Sequence, residues 1–183
     1  SKRMDGLEYD FIADGSHIID PYTKAVSGRE HFGKPKQHIR GKFDFSEFDW
    51  SGENRRNLAE HEMVLYQCHV RGFTRHASSG VAAPGTFAGL QEKIPYLKEL
   101  GVNTILPLPL YDFDECMKNK EGLPTDRVNY WGYIGDAFYF APKSGYSSGR
   151  TSASEELKQL VKNLHQNGMN LILDMYFVDR TPE

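Results

Sequence analysis

The feature that most constrains the fold is a regular alternation of apolar strand patterns and amphipathic helix patterns in the second half of the chain. Three strand patterns and two helix patterns follow one another, at residues 63–73, 86–100, 102–110, 152–167 and 169–177. Short, almost continuously apolar strands that alternate with helices are typical of parallel sheets covered by helices. The sequence therefore predicts an α/β fold with three parallel strands.

Both helix patterns carry signals for where they begin and end. Thr86 is predicted to cap the first helix, and Pro95 should kink that helix or restart it as a first-turn proline. Ser152 and Glu155 have the spacing of a capping box, and Gly168 is predicted to end the second helix. These local signals support the assignment of both helices.

The first third of the chain has a different texture. Residues 1–62 contain short apolar clusters interrupted by Gly, Pro, Asp and Lys, and strands are predicted only around 9–12 and 39–43. We expect an irregular, β-rich lead-in, either a linker or the tail of a preceding β domain. The ordered α/β unit is expected to occupy residues 63–183.

The third predicted strand comes close to the last residue of the sequence. Such a strand would leave an apolar edge unpaired, which is a hazard for association. We therefore expect the chain to be a piece of a longer polypeptide whose remainder pairs the third strand. The alternative is that another copy of the chain pairs it.

Composition excludes several classes of partner. The chain has 22 basic and 25 acidic residues and a net charge of −3, which argues against a nucleic-acid partner. No apolar run approaches the roughly 20 residues of a membrane span. Cys68 and Cys116 lack the spacing of a metal or redox motif. They leave the cellular compartment open and slightly favour the cytoplasm.

Two clusters in the long insertion between the second strand and the second helix are candidates for chemistry. Asp112 and Asp114 could act as paired acids, although their position after a strand favours solvated side chains. Trp131 and Tyr133 belong to the aromatic sequence NYWGY. Such rings stack on the apolar faces of sugars, but they can equally form a small satellite core. The residues alone leave both alternatives open.

Taken together, several segments resemble the α-amylase superfamily of glycoside hydrolases, and most closely its pullulanase, isoamylase and glycogen-debranching branch. The resemblance is carried, in this order, by HVRGFTRHASSG, PGTFAGLQEKIPYLKELGVNTILPLPLYDFDE, NYWGYIGDAFYFAPKSGYSS and ELKQLVKNLHQNGMNLILDMYF. It implies a (β/α)8 TIM barrel of which this chain provides the first three strands and two helices. It also implies a protein that acts on α-1,4- and α-1,6-linked glucans such as glycogen, starch or pullulan.

The resemblance implies roles for four residues. Tyr133 matches the tyrosine that stacks on the sugar next to the scissile bond, and Trp131 matches its aromatic neighbour. Asp174 matches the acid that opens the first signature of the superfamily, D-x-x-x-N-H. Asp179 stands at the position of the sugar-binding histidine. Val178 replaces the asparagine that often binds a structural calcium ion, so no metal or other cofactor is expected.

The catalytic aspartate and glutamate of the superfamily lie on the fourth and fifth barrel strands, so no catalytic residue is expected in this chain. A retaining glycosidase needs both carboxylates about 5–5.5 Å apart. We therefore expect the 183 residues alone to be inactive. Three alternatives stay open: part of an active retaining hydrolase, part of a non-catalytic barrel that binds carbohydrate or another partner, or a self-associating half-barrel.

Overall fold

The computed structural model describes residues 4–34, 38–119, 121–135 and 137–178. The strands are β1 Glu8–Tyr9, β2 Phe11–Ala13, β3 Ser16–Ile18, β4 Val26–Ser27, β5 Arg40–Lys42, β6 Leu65–Cys68, β7 Thr104–Pro107, β8 Tyr111–Phe113, β9 Cys116–Lys118, β10 Pro124–Val128, β11 Ala137–Pro142 and β12 Asn170–Leu171. The α-helices are α1 Val70–Arg75, α2 Phe87–Glu92, α3 Ile94–Glu99 and α4 Ala153–Gln166.

The predicted parallel sheet is present, with β7 in the centre and β6 and β12 on either side of it. Thr104 on β7 pairs in parallel with Leu65 on one side and with Asn170 on the other. Thr104 is fully buried and Ile105 beside it belongs to the main apolar core. The strand order and the parallel pairing confirm the α/β arrangement expected from the alternating patterns.

The third strand is much shorter than the 169–177 predicted from its apolar residues. Regular pairing covers Asn170–Leu171, and the next bond runs from the Ile172 amide to the Ile105 carbonyl at 2.9 Å. In this parallel register the following donor on β7 would be residue 107, and Pro107 has no N–H group. Pro107 of β7 therefore ends the regular pairing of β12.

The first strand is also shorter than predicted, because the pattern at 63–73 contains the start of a helix. Strand β6 ends at Cys68, and the His69 imidazole accepts a hydrogen bond from the Gly72 amide at 2.9 Å. A side chain that accepts from the third following amide is a helix N-cap. It converts Val70–Arg75 into helix α1.

The helices confirm the capping signals. The Thr86 hydroxyl accepts from the Gly89 amide, and the helical segment breaks at Lys93 and restarts with Pro95 in the first turn of α3. Ser152 caps α4 by accepting from the Glu155 amide at 3.1 Å. Within the described part of the chain, no helix is long and apolar enough to cross a membrane.

The apolar core lies between the parallel sheet and helices α2–α4. Its fully buried members come from all of these elements: Phe87, Leu90, Leu97, Ile105, Leu160 and Leu164. Hydrophobic burial of this kind is the main stabilising contribution in a small domain. The sheet and these helices are called the framework below.

The lead-in contains short antiparallel pairings, as expected, but more of them than the sequence suggested. Strands β1, β5 and β4 form one sheet and β2 and β3 form a hairpin. Tyr9 stacks on Phe43 with ring centroids 4.3 Å apart, and this contact links the two strands predicted in this region. The assignment of residues 1–62 to a linker or to a preceding β domain stays a prediction.

Candidate functional site

The long insertion after β7 is built from two antiparallel pairs, β8 with β11 and β9 with β10. The insertion is defined here as residues 111–151. The NYWGY sequence joins the two pairs, because it lies between the end of β10 at Val128 and the start of β11 at Ala137. The loop that carries the predicted aromatic residues is therefore fixed at both ends by strands.

Gly132 makes the shape of this loop possible. Its φ angle is +85°, and a Cβ atom added there would lie 2.7 Å from the Phe113 ring and 3.0 Å from Pro109. Its amide donates to the Asn129 side chain at 3.2 Å, and its carbonyl accepts from the Tyr111 hydroxyl at 3.1 Å. The backbone thus passes close over β8, which a larger residue would prevent.

Within the NYWGY sequence, Tyr130 packs inward. Its ring stacks on His69 with centroids 4.0 Å apart and an interplanar angle of 13°. The Gly72 amide donates to His69 Nδ1, so the imidazole proton is on Nε2, which donates to the Tyr130 carbonyl at 2.7 Å. Burial, the largest influence, lowers the pKa of His69. Tyr130 and His69 therefore form the satellite core that was one of the two sequence alternatives.

Trp131 and Tyr133 point the other way. Trp131 is 58% exposed and contacts His69 only edge-on, at a centroid distance of 6.2 Å. Tyr133 is 43% exposed. Two large aromatic rings that remain accessible beside a packed loop are available to a ligand. The loop thus has Tyr130 in the satellite core and the other two rings at the surface, and sugar stacking by those two rings stays a prediction.

Tyr133 and Asp174 meet in space, as expected for residues of one site. The Tyr133 hydroxyl donates to Asp174 Oδ2 at 2.6 Å across 41 positions of sequence. Burial, followed by the hydrogen bond to Asp174 and its negative charge, raises the pKa of Tyr133 to about 12. The phenol therefore stays protonated even above pH 10.0, its ordinary pKa, and its hydroxyl binds the carboxylate from one side.

Further rings surround this pair and were not singled out from the sequence. Tyr176 lies edge-on to Tyr133 at 5.7 Å, and its carbonyl accepts from the Tyr139 hydroxyl at 2.8 Å. Phe177 contacts Tyr139 at 5.0 Å. We call the following five residues the aromatic rim: Trp131, Tyr133, Tyr139, Tyr176 and Phe177. The run of three aromatic residues along β11, Phe138 to Phe140, was the available signal for Tyr139.

The last two positions of the signature are less informative. Asp179 lies outside the described residues. Val178 is 42% exposed, and a Cβ at Gly135 would be in ordinary contact with its side chain. A valine side chain has no oxygen to offer a calcium ion. Over the described ranges, no group of three or more His, Cys, Asp or Glu side chains could hold a metal ion.

Of the acids after β7, Asp112 and its neighbour Glu115 are not solvated, and for Asp112 this contradicts the expectation from its position. Asp112 and Glu115 are completely buried, and Lys143 Nζ lies 3.2 Å and 2.8 Å from their carboxylates. Asp114 instead accepts from the Cys116 amide at 3.0 Å, which is a local turn contact. Burial with a cation excludes the solvated interpretation, and it also keeps Asp112 and Glu115 from reaching a substrate.

Comparison with known proteins agrees with this geometry. The family model of the alpha amylase catalytic domain matches residues 67–178. This range includes strands β7 and β12, which lie next to the site, and the whole insertion. The chain belongs to the alpha-amylase family. This match confirms the superfamily resemblance seen in the sequence. It also confirms a fold of the alpha-amylase type, which belongs to the TIM-barrel family.

Similar proteins of the alpha-amylase family come from the predicted branch. Isoamylase 3, a chloroplastic protein of Oryza sativa subsp. japonica, is 45% identical over 173 residues, which are 87% of this chain and 22% of the relative. A glycogen debranching enzyme of Yersinia enterocolitica is 41% identical over 180 residues, covering 87% of this chain and 26% of the relative.

A solved structure of this family has the same arrangement. Pullulanase type I from Bacillus subtilis str. 168, complexed with maltose, matches 94% of this chain and 25% of its own with a TM-score of 0.71 at 29% identity. The chain therefore spans only about a fifth to a quarter of the length of these relatives. The activity of the whole protein is accordingly a matter for proposal.

Proposed function

We propose that this chain forms the first three strands of a (β/α)8 barrel in an α-glucan hydrolase of the isoamylase, pullulanase and debranching type. The observation that supports this proposal most directly is the 2.6 Å hydrogen bond between Tyr133 and Asp174, because it joins the aromatic loop to the residues that follow β12. Active sites of such barrels lie at the carboxyl ends of the strands. The aromatic rim would thus face the glucan.

In this proposal the chain binds substrate and leaves bond cleavage to carboxylates outside it. Tyr133 would stack on a glucose ring while its hydroxyl keeps Asp174 oriented. Trp131, which is more exposed, would border the same surface. A retaining mechanism then needs an aspartate nucleophile and a glutamate acid/base, which the family resemblance assigns to the fourth and fifth barrel strands. Asp179 remains a candidate substrate contact.

Binding by Tyr133 can be tested in the protein as its gene encodes it. Tyr133→Ala should weaken binding of a linear maltooligosaccharide about tenfold, equivalent to about 1.4 kcal/mol, while the melting temperature changes little. Tyr22→Ala is a matched control, because Tyr22 is 72% exposed and its ring contacts Phe140 and not the aromatic rim. Equal loss of affinity in both variants would contradict the proposed site.

Hydrolysis is tested separately from binding. Incubation of the 183-residue chain with pullulan or glycogen should release no reducing ends, because it contains neither catalytic carboxylate of the family resemblance. The protein as encoded should release them. Turnover by the 183-residue chain above a blank would show that the catalytic acids have been assigned to the wrong place.

A second candidate function is a non-catalytic barrel that binds carbohydrate or another partner. The observation in its favour is Val178, which cannot provide the amide of the asparagine in the family signature. The same pair of assays distinguishes the two candidates. Glucan binding without release of reducing ends by the encoded protein would support the binding protein.

A further inference from the structure

A buried network of four charges lies beneath the NYWGY loop. It consists of Arg29, Asp112, Glu115 and Lys143, and none of them is more than 5% exposed. Lys143 Nζ contacts both carboxylates, and the Arg29 guanidinium approaches Asp112 Oδ1 at 3.5 Å. The two acids and two bases make the network formally neutral. Its partners are separated by 28 to 83 positions of sequence.

Stability alone does not explain such a network. Moving charges out of water is costly, and replacing buried ion pairs by apolar residues often leaves stability unchanged or improves it. Removal of one partner is damaging, since it leaves an uncompensated charge. Networks of this kind are well suited to fixing the position of attached groups, because each partner accepts only a narrow range of geometries.

The groups attached to this network lead to the substrate-facing loop. Lys143 also donates to the Phe113 carbonyl at 2.8 Å, and the Phe113 ring lies directly against Gly132. The Glu115 backbone carbonyl accepts from the Asn129 amide at 2.7 Å, and the Asn129 side chain accepts from the Gly132 amide. Both series of contacts end at Gly132, the residue that precedes Tyr133.

The network also connects the lead-in, residues 1–62, to the insertion. Glu115 Oε1 accepts from the Gly33 amide at 2.8 Å, while Asp112 Oδ2 accepts from the Ser144 amide at 3.0 Å. Lys143 is therefore surrounded by groups that fix it against the lead-in on one side and the loop on the other. A shift of its ammonium group would be transmitted to both.

We propose that Lys143 is a positioning residue that sets the distance between Tyr133 and Asp174 through Glu115 and strand β8. The proposal rests on the proposed function for the claim that Tyr133 contacts a glucan. The placement of the Tyr133 hydroxyl can be measured without any glucan. A failure of positioning is therefore distinguishable from a failure of the proposed function.

The test measures the pKa of Tyr133 by NMR of ¹³Cζ-labelled tyrosine in the protein as its gene encodes it, with the Tyr133→Phe spectrum providing the assignment. In Lys143→Met the hydrogen bond to Asp174 should be lost, and the pKa of Tyr133 should fall from about 12 toward its ordinary value of 10.0. Maltooligosaccharide affinity should fall about three- to tenfold in the same variant.

Two further variants complete the design. Lys162→Met is the matched control, since Lys162 lies on α4, is 14% exposed and bonds the Asp49 carbonyl away from the loop. It should leave the pKa of Tyr133 at about 12. Lys143→Arg retains the positive charge and should restore part of the shift.

If Lys143→Met does not fold, the same measurement is made on Lys143→Met combined with Asp112→Asn. In this double variant the network again has no net charge, because one positive and one negative charge remain. A folded variant of either kind that retains the pKa of Tyr133 at about 12 overturns the proposal. A fall in that pKa in a protein whose unaltered form binds no glucan supports positioning and overturns the proposed function instead.

Discussion

The framework and the insertion are held together by different interactions. The framework buries apolar side chains from a sheet and three helices, such as Phe87, Ile105 and Leu160. The insertion buries a charge network and a close backbone contact at Gly132. Apolar packing is non-directional and tolerates small shifts, whereas charges and hydrogen bonds require defined geometry. The region that carries the candidate site is thus held by the more directional interactions.

The largest effect is expected in the framework. Phe87→Ala should lower the free energy of unfolding by about 3–5 kcal/mol, because it removes a fully buried ring that packs edge-on to Tyr146. Urea unfolding measures the change. Phe140→Ala is the same substitution at a 58% exposed ring of the insertion and should cost less than about 1 kcal/mol. Equal losses would mean that the two regions do not differ as described.

A smaller effect is expected at the close contact in the insertion. Gly132→Ala combines the strain of a positive φ with a clash against Phe113, and should cost about 2–4 kcal/mol. Gly149→Ala is the control, because φ there is +82° but no atom lies within 4 Å of the added Cβ. It should cost about 1–2 kcal/mol. The difference isolates the clash, and no difference would show that the loop can move away freely.

A helix cap gives the next effect in size. Ser152→Ala should reduce the free energy of unfolding by about 1 kcal/mol, since the Glu155 amide at the start of α4 loses its acceptor. Thermal unfolding at fixed pH measures this change. Maltooligosaccharide affinity should not change, because α4 belongs to the framework. A loss of affinity with this variant would show that the two regions are coupled.

The smallest effect on stability at neutral pH is expected for Asp174→Asn, which removes the charge beside Tyr133. The raised pKa of Tyr133 stabilises the folded state fully below pH 10.0, the ordinary value, and this contribution is lost as the pH rises toward about 12. The variant should lower the pKa of Tyr133 and so narrow the pH range over which this contribution to stability is lost. Denaturation midpoints measured from about pH 9 to about pH 12 test this expectation. It would be contradicted if the midpoints of the wild type and the variant fell in parallel over this range.

The sequence predicted the framework better than the insertion for a physical reason. Caps at Thr86 and Ser152 act over three residues, and apolar periodicity acts over a helical turn, so both can be seen in a short window. The strand at 63–73 was predicted too long because the His69 cap was hidden in an apolar run. The shortening of β12 depends on Pro107, which lies in a different strand.

The candidate site was predicted in part. The contact of Tyr133 with Asp174 agrees with the superfamily resemblance, which supplied both residues. The burial of Asp112 could not be foreseen, because its partners Arg29 and Lys143 lie 83 and 31 positions away. Charges paired over such distances leave no local pattern. The expected solvation of Asp112 was wrong for that reason.

The proline at position 107 has a consequence for the motion of Asp174. With no ladder donor opposite Ile172, the backbone that carries Asp174 leaves the sheet two residues before the carboxylate. In the described part of the chain, its orientation is then determined by the Tyr133 hydroxyl. Amide hydrogen exchange should therefore be slow at Ile172 and fast at Asp174, and a ligand that displaces the phenol would free the carboxylate to turn.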